Sequence, residues 1–166
     1  MNGKRSPSGR LKQAERVFLV VVDDSEEMPV ALRYAALRAR ATGGRVALFS
    51  VIEPIKGGDW QAVKELAEHE ARQAAEARMA AYSDQIMAES GKMPVIYIRI
   101  GNPRDALLAL LDEEPTISIL VLAAGTSSRG PGPLIEALTG KFYSKLKIPM
   151  TIVPGTLADE DIDALT

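Results

Sequence analysis

Ile117-Ser-Ile-Leu-Val-Leu-Ala-Ala124 runs without a break into Gly125-Thr-Ser-Ser-Arg-Gly-Pro-Gly-Pro133. An apolar run rich in isoleucine, leucine and valine reads as a strand covered on both faces, the kind found in parallel sheets flanked by helices. The glycine-rich stretch reads as a loop of exposed amides. A helical pattern follows, is broken at Gly140-Lys141 and ends before Ile148-Pro149. Buried strand, open amides and helix start together form an anion site.

Working outward, Val17 to Val22, Val46 to Ile52, Val95 to Ile100 and Met150 to Val153 repeat the strand pattern. Alternation in the third strand predicts a less buried place, and the prolines bracketing the last suit an edge. The first intervening helix starts near Pro29, with Asp24 or Ser25 as its cap. Val30, Tyr34, Leu37 and Ala41 share a face, and Gly43-Gly44 stops it. A long helix from Asp59 to Glu89 carries Leu66, Ala74, Ala77, Ala81 and Ile86 on its apolar face. Trp60 and Met79 are placed to pack beneath it or against a partner. Asn102 caps a third helix from Pro103, with Leu107, Leu108 and Leu111 facing inward.

Strands alternating with helices imply a doubly wound α/β sheet of five parallel strands with helices on both faces. Ligands bind such sheets beyond the carboxyl ends of the strands, where strand order reverses. The loops there begin at Asp23, Glu53, Gly101 and Gly125, so topology alone puts the glycine loop on the functional edge.

The chain's 166 residues suit one domain, and 46% hydrophobic content fills one core. A net charge of -2 gives no case for nucleic acid. No apolar run is long enough to span a membrane, and the start lacks a secretory signal's apolar region. With no cysteine, disulfides, thiol catalysis and thiolate metal sites are excluded. The cytoplasm is the expected location. Residues 1–15 read as a disordered basic tail, 16–155 as the folded domain, and 156–166 as a loose acidic tail.

The familiar phosphate motifs fail. A Walker loop ending at Gly140-Lys141 would need glycine at Ile135 and Ser or Thr at Phe142. A dinucleotide fingerprint through Gly130 and Gly132 also founders on Ile135. Val20-Val-Val-Asp-Asp-Ser25 resembles the start of a receiver domain, but Ile100-Gly-Asn and Val153-Pro-Gly lack that family's phosphate-accepting Asp and its Lys. His69, the one histidine, lies between Glu68 and Glu70 in the long helix. No Ser-His-Asp set and no metal-ligand cluster is evident, so no catalytic or metal residue is assigned.

Asp23 after the first strand, Gly101-Asn-Pro103 after the third, and the glycine loop before a short helix and strand resemble the universal stress protein family. The resemblance spans about Val17 to Gly155. Nucleotide-binding members carry Gly, two residues, Gly, nine residues, then Gly and Ser or Thr. Gly130 and Gly140 keep the nine-residue spacing. Four residues separate Gly125 from Gly130, and Lys141 stands in the hydroxyl position. The resemblance implies an adenine nucleotide alpha hydrolase-like fold with strand order 3-2-1-4-5. It places Asp23 and the Val21 backbone by adenine and ribose, with Val51 packed on adenine. Ala124 and Gly125 would line the same cleft. Gly130, Gly140 and Lys141 would meet the phosphates, beside Phe142. The ligand would be ATP or another adenine nucleotide, with magnesium entering only with it. The last edge strand would pair with its copy in a homodimer.

Physical chemistry supports part of this. Glycines let amides approach phosphate oxygens, a helix after Gly140 would add positive potential, and Lys141 supplies a full charge. Pro131 and Pro133 each remove a donor. The function expected is a stress-response module binding an adenine nucleotide. The alternative is a non-nucleotide-binding homodimeric interaction protein of the same fold. A third reading, phosphoryl or nucleotidyl transfer, would need Asp23 and Lys141 to carry the chemistry.

Overall fold

The computed structural model describes residues 15–58 and 60–166. The chain order is β1 (Val17–Val21), α1 (Met28–Thr42), β2 (Arg45–Ile52), α2 (Gln61–Ser90), β3 (Val95–Ile100), α3 (Pro103–Glu113), β4 (Ile117–Ala124), α4 (Pro133–Thr139), β5 (Met150–Pro154) and α5 (Asp159–Leu165). A single turn of 3-10 helix, Tyr143–Lys145, precedes β5. All five strands are parallel, in the order β3-β2-β1-β4-β5. The predicted architecture and strand order are therefore present, and β3 and β5 are the edges.

The alternation of side chains along each strand builds one core on each face. Phe18, Val20, Val46, Leu48 and Val121 meet α1 and the C-terminal half of α2. Leu19, Phe49, Leu120 and Leu122 meet α3 and α4 through Leu107, Leu110, Ile135 and Leu138. The central strands contribute to both, which is why their sequences read as continuous apolar runs.

The helix faces differ from the predicted ones, slightly on α3, where Leu107 and Leu110 are buried and Leu108 and Leu111 half-buried, and more on α1 and α2. On α1 the buried row is Met28, Ala31, Leu32, Ala35, Ala36 and Ala39, whereas Val30, Tyr34 and Leu37 are half-buried and Ala41 is exposed. Alanines allow the helix to approach the sheet closely, so the small residues went inward and the large ones to the flank. On α2 the buried residues are Ala75, Met79, Ser83 and Ile86; Leu66, Ala74, Ala77 and Ala81 are exposed. Length explains this. Thirty residues of helix run about 45 Å, but the neighbouring strands run only about 20–26 Å. The N-terminal half of α2 therefore has no sheet beneath it, and Trp60 is 74% exposed.

The tail after Gly155 is not loose. Asp159–Leu165 forms α5, packed on α1, with Ile162 fully buried. Asp161 accepts the Ala158 N–H at 3.0 Å and so caps the first turn. Arg33 on α1 reaches Asp163 at 2.6 Å and Glu89 on α2 at 3.4 Å. An acidic sequence looked solvated because its cation comes from a distant helix.

Of the basic segment at the start, only Glu15 lies within the described residues; it bridges Lys92 at 2.9 Å and Arg45 at 3.4 Å. The expectation for the preceding residues lies outside them. No helix among the described residues is long and apolar enough to cross a membrane.

Candidate functional site

β1 has β2 on one side and β4 on the other, so the chain reverses direction across the sheet there. The loops after β1 and β4 separate at that point and leave a cleft of about 640 Å³. Val21, Leu122 and Ala123 lie along its strand side, Val51 and Pro103 line it further out, and the loop from Gly125 to Gly132 faces them. Most of this lining is apolar, as a flat ring system requires. Asp23, Glu27, Glu136 and Arg129 are its charged members.

The β1–α1 loop turns on Asp23. Its Oδ1 accepts the Ser25 N–H at 2.8 Å, an Asx turn that aims the chain into α1. Neither Asp24 nor Ser25 caps that helix. The capping position is Glu27, which makes no side-chain cap bond. Its carboxylate instead crosses to the other loop and accepts the Thr126 N–H at 3.3 Å. Its own N–H and the Ser25 hydroxyl, with that Thr126 N–H, hold the Glu27 carboxyl below the usual range.

The glycine loop folds back on itself. Gly125 N–H donates to Pro131 O at 2.9 Å, and Gly130 N–H to Ser127 O at 3.2 Å. Arg129 N–H donates to Ser127 Oγ at 3.3 Å. Gly130 has φ +95°, a conformation that side-chain-bearing residues rarely adopt. A Cβ built there would lie 2.8 Å from Glu136 Oε1, and one on Gly125 would lie 3.5 Å from Glu27 Oε1. Gly125 and Gly130 thus each stand against a carboxylate of the chain itself.

The predicted site residues divide into two groups. Val21, Asp23, Val51, Gly125 and Gly130 line the cleft together. Ala124 is half-buried just behind them, packed with the α3–α4 core. Gly140, Lys141 and Phe142 are not in the cleft lining. Gly140 ends α4, and a Cβ on it would come within 2.8 Å of Glu136 O. Between it and β5 there is only the 3-10 turn, so the helix whose start adjoins the loop is α4, beginning at Pro133. Lys141 is exposed. Phe142 lies under the Arg104 guanidinium, 4.0 Å from the ring centroid, with Lys141 and Lys145 at 5.7 and 5.4 Å. The sequence reading missed Glu27, Arg129, Pro103 and Glu136. The signal for Glu27 was topological: the first turn of α1 must face the loop after β4 when β1 and β4 are neighbours. His69 lies on the exposed half of α2, and no group of three or more His, Asp or Glu able to hold a metal exists among the described residues.

The universal stress protein family profile matches residues 15–154, from just before β1 to the end of β5. The chain belongs to the universal stress protein family. Solved structures agree on the architecture of this universal stress protein. UspA from Lactobacillus plantarum superposes with a TM-score of 0.71 at 16% identity, covering 84% of this chain and 97% of that one. A universal stress protein in complex with cAMP gives 0.59 at 19% identity, over 86% and 99% of the two chains. One from Archaeoglobus fulgidus in complex with dAMP gives 0.51 at 19%, over 84% and 98%. Likeness at these identities carries the fold and no more. No curated protein matches the chain.

Proposed function

We propose that this universal stress protein is a stress-response module that binds an adenine nucleotide in the cleft between the β1 and β4 loops. The observation that carries this reading is the convergence of Val21, Asp23, Val51, Gly125 and Gly130 on one cleft at the strand-order reversal. Val21 and Val51 offer apolar surface for a purine, and the Asp23 carboxylate can accept hydrogen bonds from ribose hydroxyls. The cAMP and dAMP bound by two structural neighbours add support. Binding, not turnover, is the role assigned, and magnesium would enter only with a nucleotide. A homodimer is part of the reading: β5 is an edge strand with Ile152 37% exposed, and a second copy could pair with it. A thermal-shift titration tests the proposal. Melting temperature should rise with AMP or ATP at millimolar concentration, and no rise with any adenine nucleotide would refute it.

One observation favours a second reading, a homodimeric interaction protein that takes no nucleotide. The unsupported half of α2 presents Trp60, Val63 and Leu66 to solvent, each more than half exposed, which fits a contact surface. Sedimentation with and without AMP separates the two. Self-association weakened by Trp60→Ala in a protein that no adenine nucleotide stabilises would select the second.

A further inference from the structure

In the nucleotide-binding pattern, the loop after β4 should offer its amides to an incoming phosphate. Here its anchor amides already have acceptors. Thr126 N–H goes to Glu27 Oε1 at 3.3 Å, and the Gly125 and Gly130 N–H groups go to Pro131 O and Ser127 O. Pro131 and Pro133 have none to give. Glu136 Oε1 stands beside Gly130. Of the charged side chains lining the cleft, Asp23, Glu27 and Glu136 are acids and Arg129 alone is basic.

Glu27 is held in place from two sides. It accepts from the loop at Thr126, and Gly155 lets its stem pass: a Cβ at Gly155 would lie 2.5 Å from Glu27 Cγ. A carboxylate fixed by an amide and shielded along its stem is not easily displaced by a competing anion. A single phosphate can be answered by Arg129, the cation on the same loop. Each further phosphate adds negative charge beside acids that have no second cation in the lining to offset them.

We propose that Glu27 is a built-in anion occupying the phosphate side of the cleft, so that the site selects adenosine or an adenosine monophosphate and discriminates against the triphosphate. This rests on the adenine-nucleotide reading of the cleft. A glutamate is ionised at neutral pH in any case, and the three donors around this one favour the charged form further.

Titration calorimetry of the full chain with adenosine, AMP and ATP, each without magnesium and at fixed ionic strength, tests it. The wild-type protein should bind AMP at least about tenfold more tightly than ATP, and added salt should narrow that gap by screening. Glu27→Gln keeps the size of the side chain and removes its charge. It should raise ATP affinity about tenfold relative to that of adenosine, while Glu26→Gln, exposed and outside the lining, should leave that ratio as it is. ATP binding as tight as AMP in the wild type overturns the inference without need of any variant. So does an unchanged ATP-to-AMP ratio in Glu27→Gln. Those outcomes leave nucleotide binding standing. Failure of all three ligands to bind either protein refutes the nucleotide reading itself, and the inference with it.

Discussion

The backbone N–H of Thr126 donates to Oε1 of Glu27 across 3.3 Å, tying the loop after β4 to the start of α1. Two segments about a hundred residues apart in sequence close one cleft because β1 and β4 are neighbours in the sheet. The bond fixes the loop and spends one of its amides.

That bond has a pH signature. The Glu27 carboxyl is lowered in the folded protein relative to the unfolded chain. The stability it contributes is therefore complete above the unfolded value and is lost as pH falls through the folded one. Wild type should melt above Glu27→Gln at pH 7, and the gap should narrow as pH falls below the ordinary glutamate range. Melting curves of both proteins from neutral to acid pH check this, and a gap that does not narrow on acidification would contradict it.

Gly155→Ala should cost about 1–3 kcal/mol. The new methyl would lie 2.9 Å from Ala124 O as well as 2.5 Å from Glu27 Cγ. The side chain can move only by giving up its bond to Thr126, and the carbonyl belongs to β4 and cannot move. Urea unfolding measures the loss, and a neutral result would mean that β5 and the loop after it are free to shift.

α5 should owe its attachment to packing more than to charge. Ile162→Ala removes a fully buried side chain and should cost about 2–4 kcal/mol. Asp163→Asn weakens a 2.6 Å pair with Arg33, but the Asp163 side chain is 53% exposed, so its loss should stay below about 1 kcal/mol. Equal losses in urea unfolding would show that the ion pairs dominate.

Asp23 separates structure from binding. Asn in its place retains an oxygen to accept the Ser25 N–H, so Asp23→Asn should fold with near wild-type stability. Hydrogen bonds from ribose hydroxyls to a charged acceptor exceed those to a neutral one by enough for AMP affinity to fall about tenfold. Calorimetry beside a melting curve reads both, and unchanged affinity would remove Asp23 from the ligand site.

Strand identity and order were legible because each strand is a short apolar run between turn residues, and the family resemblance supplied the order. Burial on α1 and α2 was harder to read, since alanines gave no hydrophobic contrast and nothing local reveals that α2 outruns its sheet. That Val21, Asp23, Val51 and Gly125 line one cleft followed from topology and resemblance. Gly140, Lys141 and Phe142 were placed by the resemblance, through the nine-residue spacing of its glycine motif. The longer segment between Gly125 and Gly130 closes on itself through Ser127 and Pro131, and α4 starts at Pro133, which leaves those three residues beyond the cleft lining. Glu27 stands at the start of α1, and its use by a loop from β4 exists only in the folded chain. α5 was hidden in the same way, its acids paired with Arg33.

Calorimetric titration of the purified full chain with AMP is the most direct test of the central claim, that the cleft is an adenine-nucleotide site. Saturable binding at one site per chain, weakened about tenfold by Asp23→Asn, is the predicted result. No heat and no change in melting temperature at millimolar AMP would contradict it.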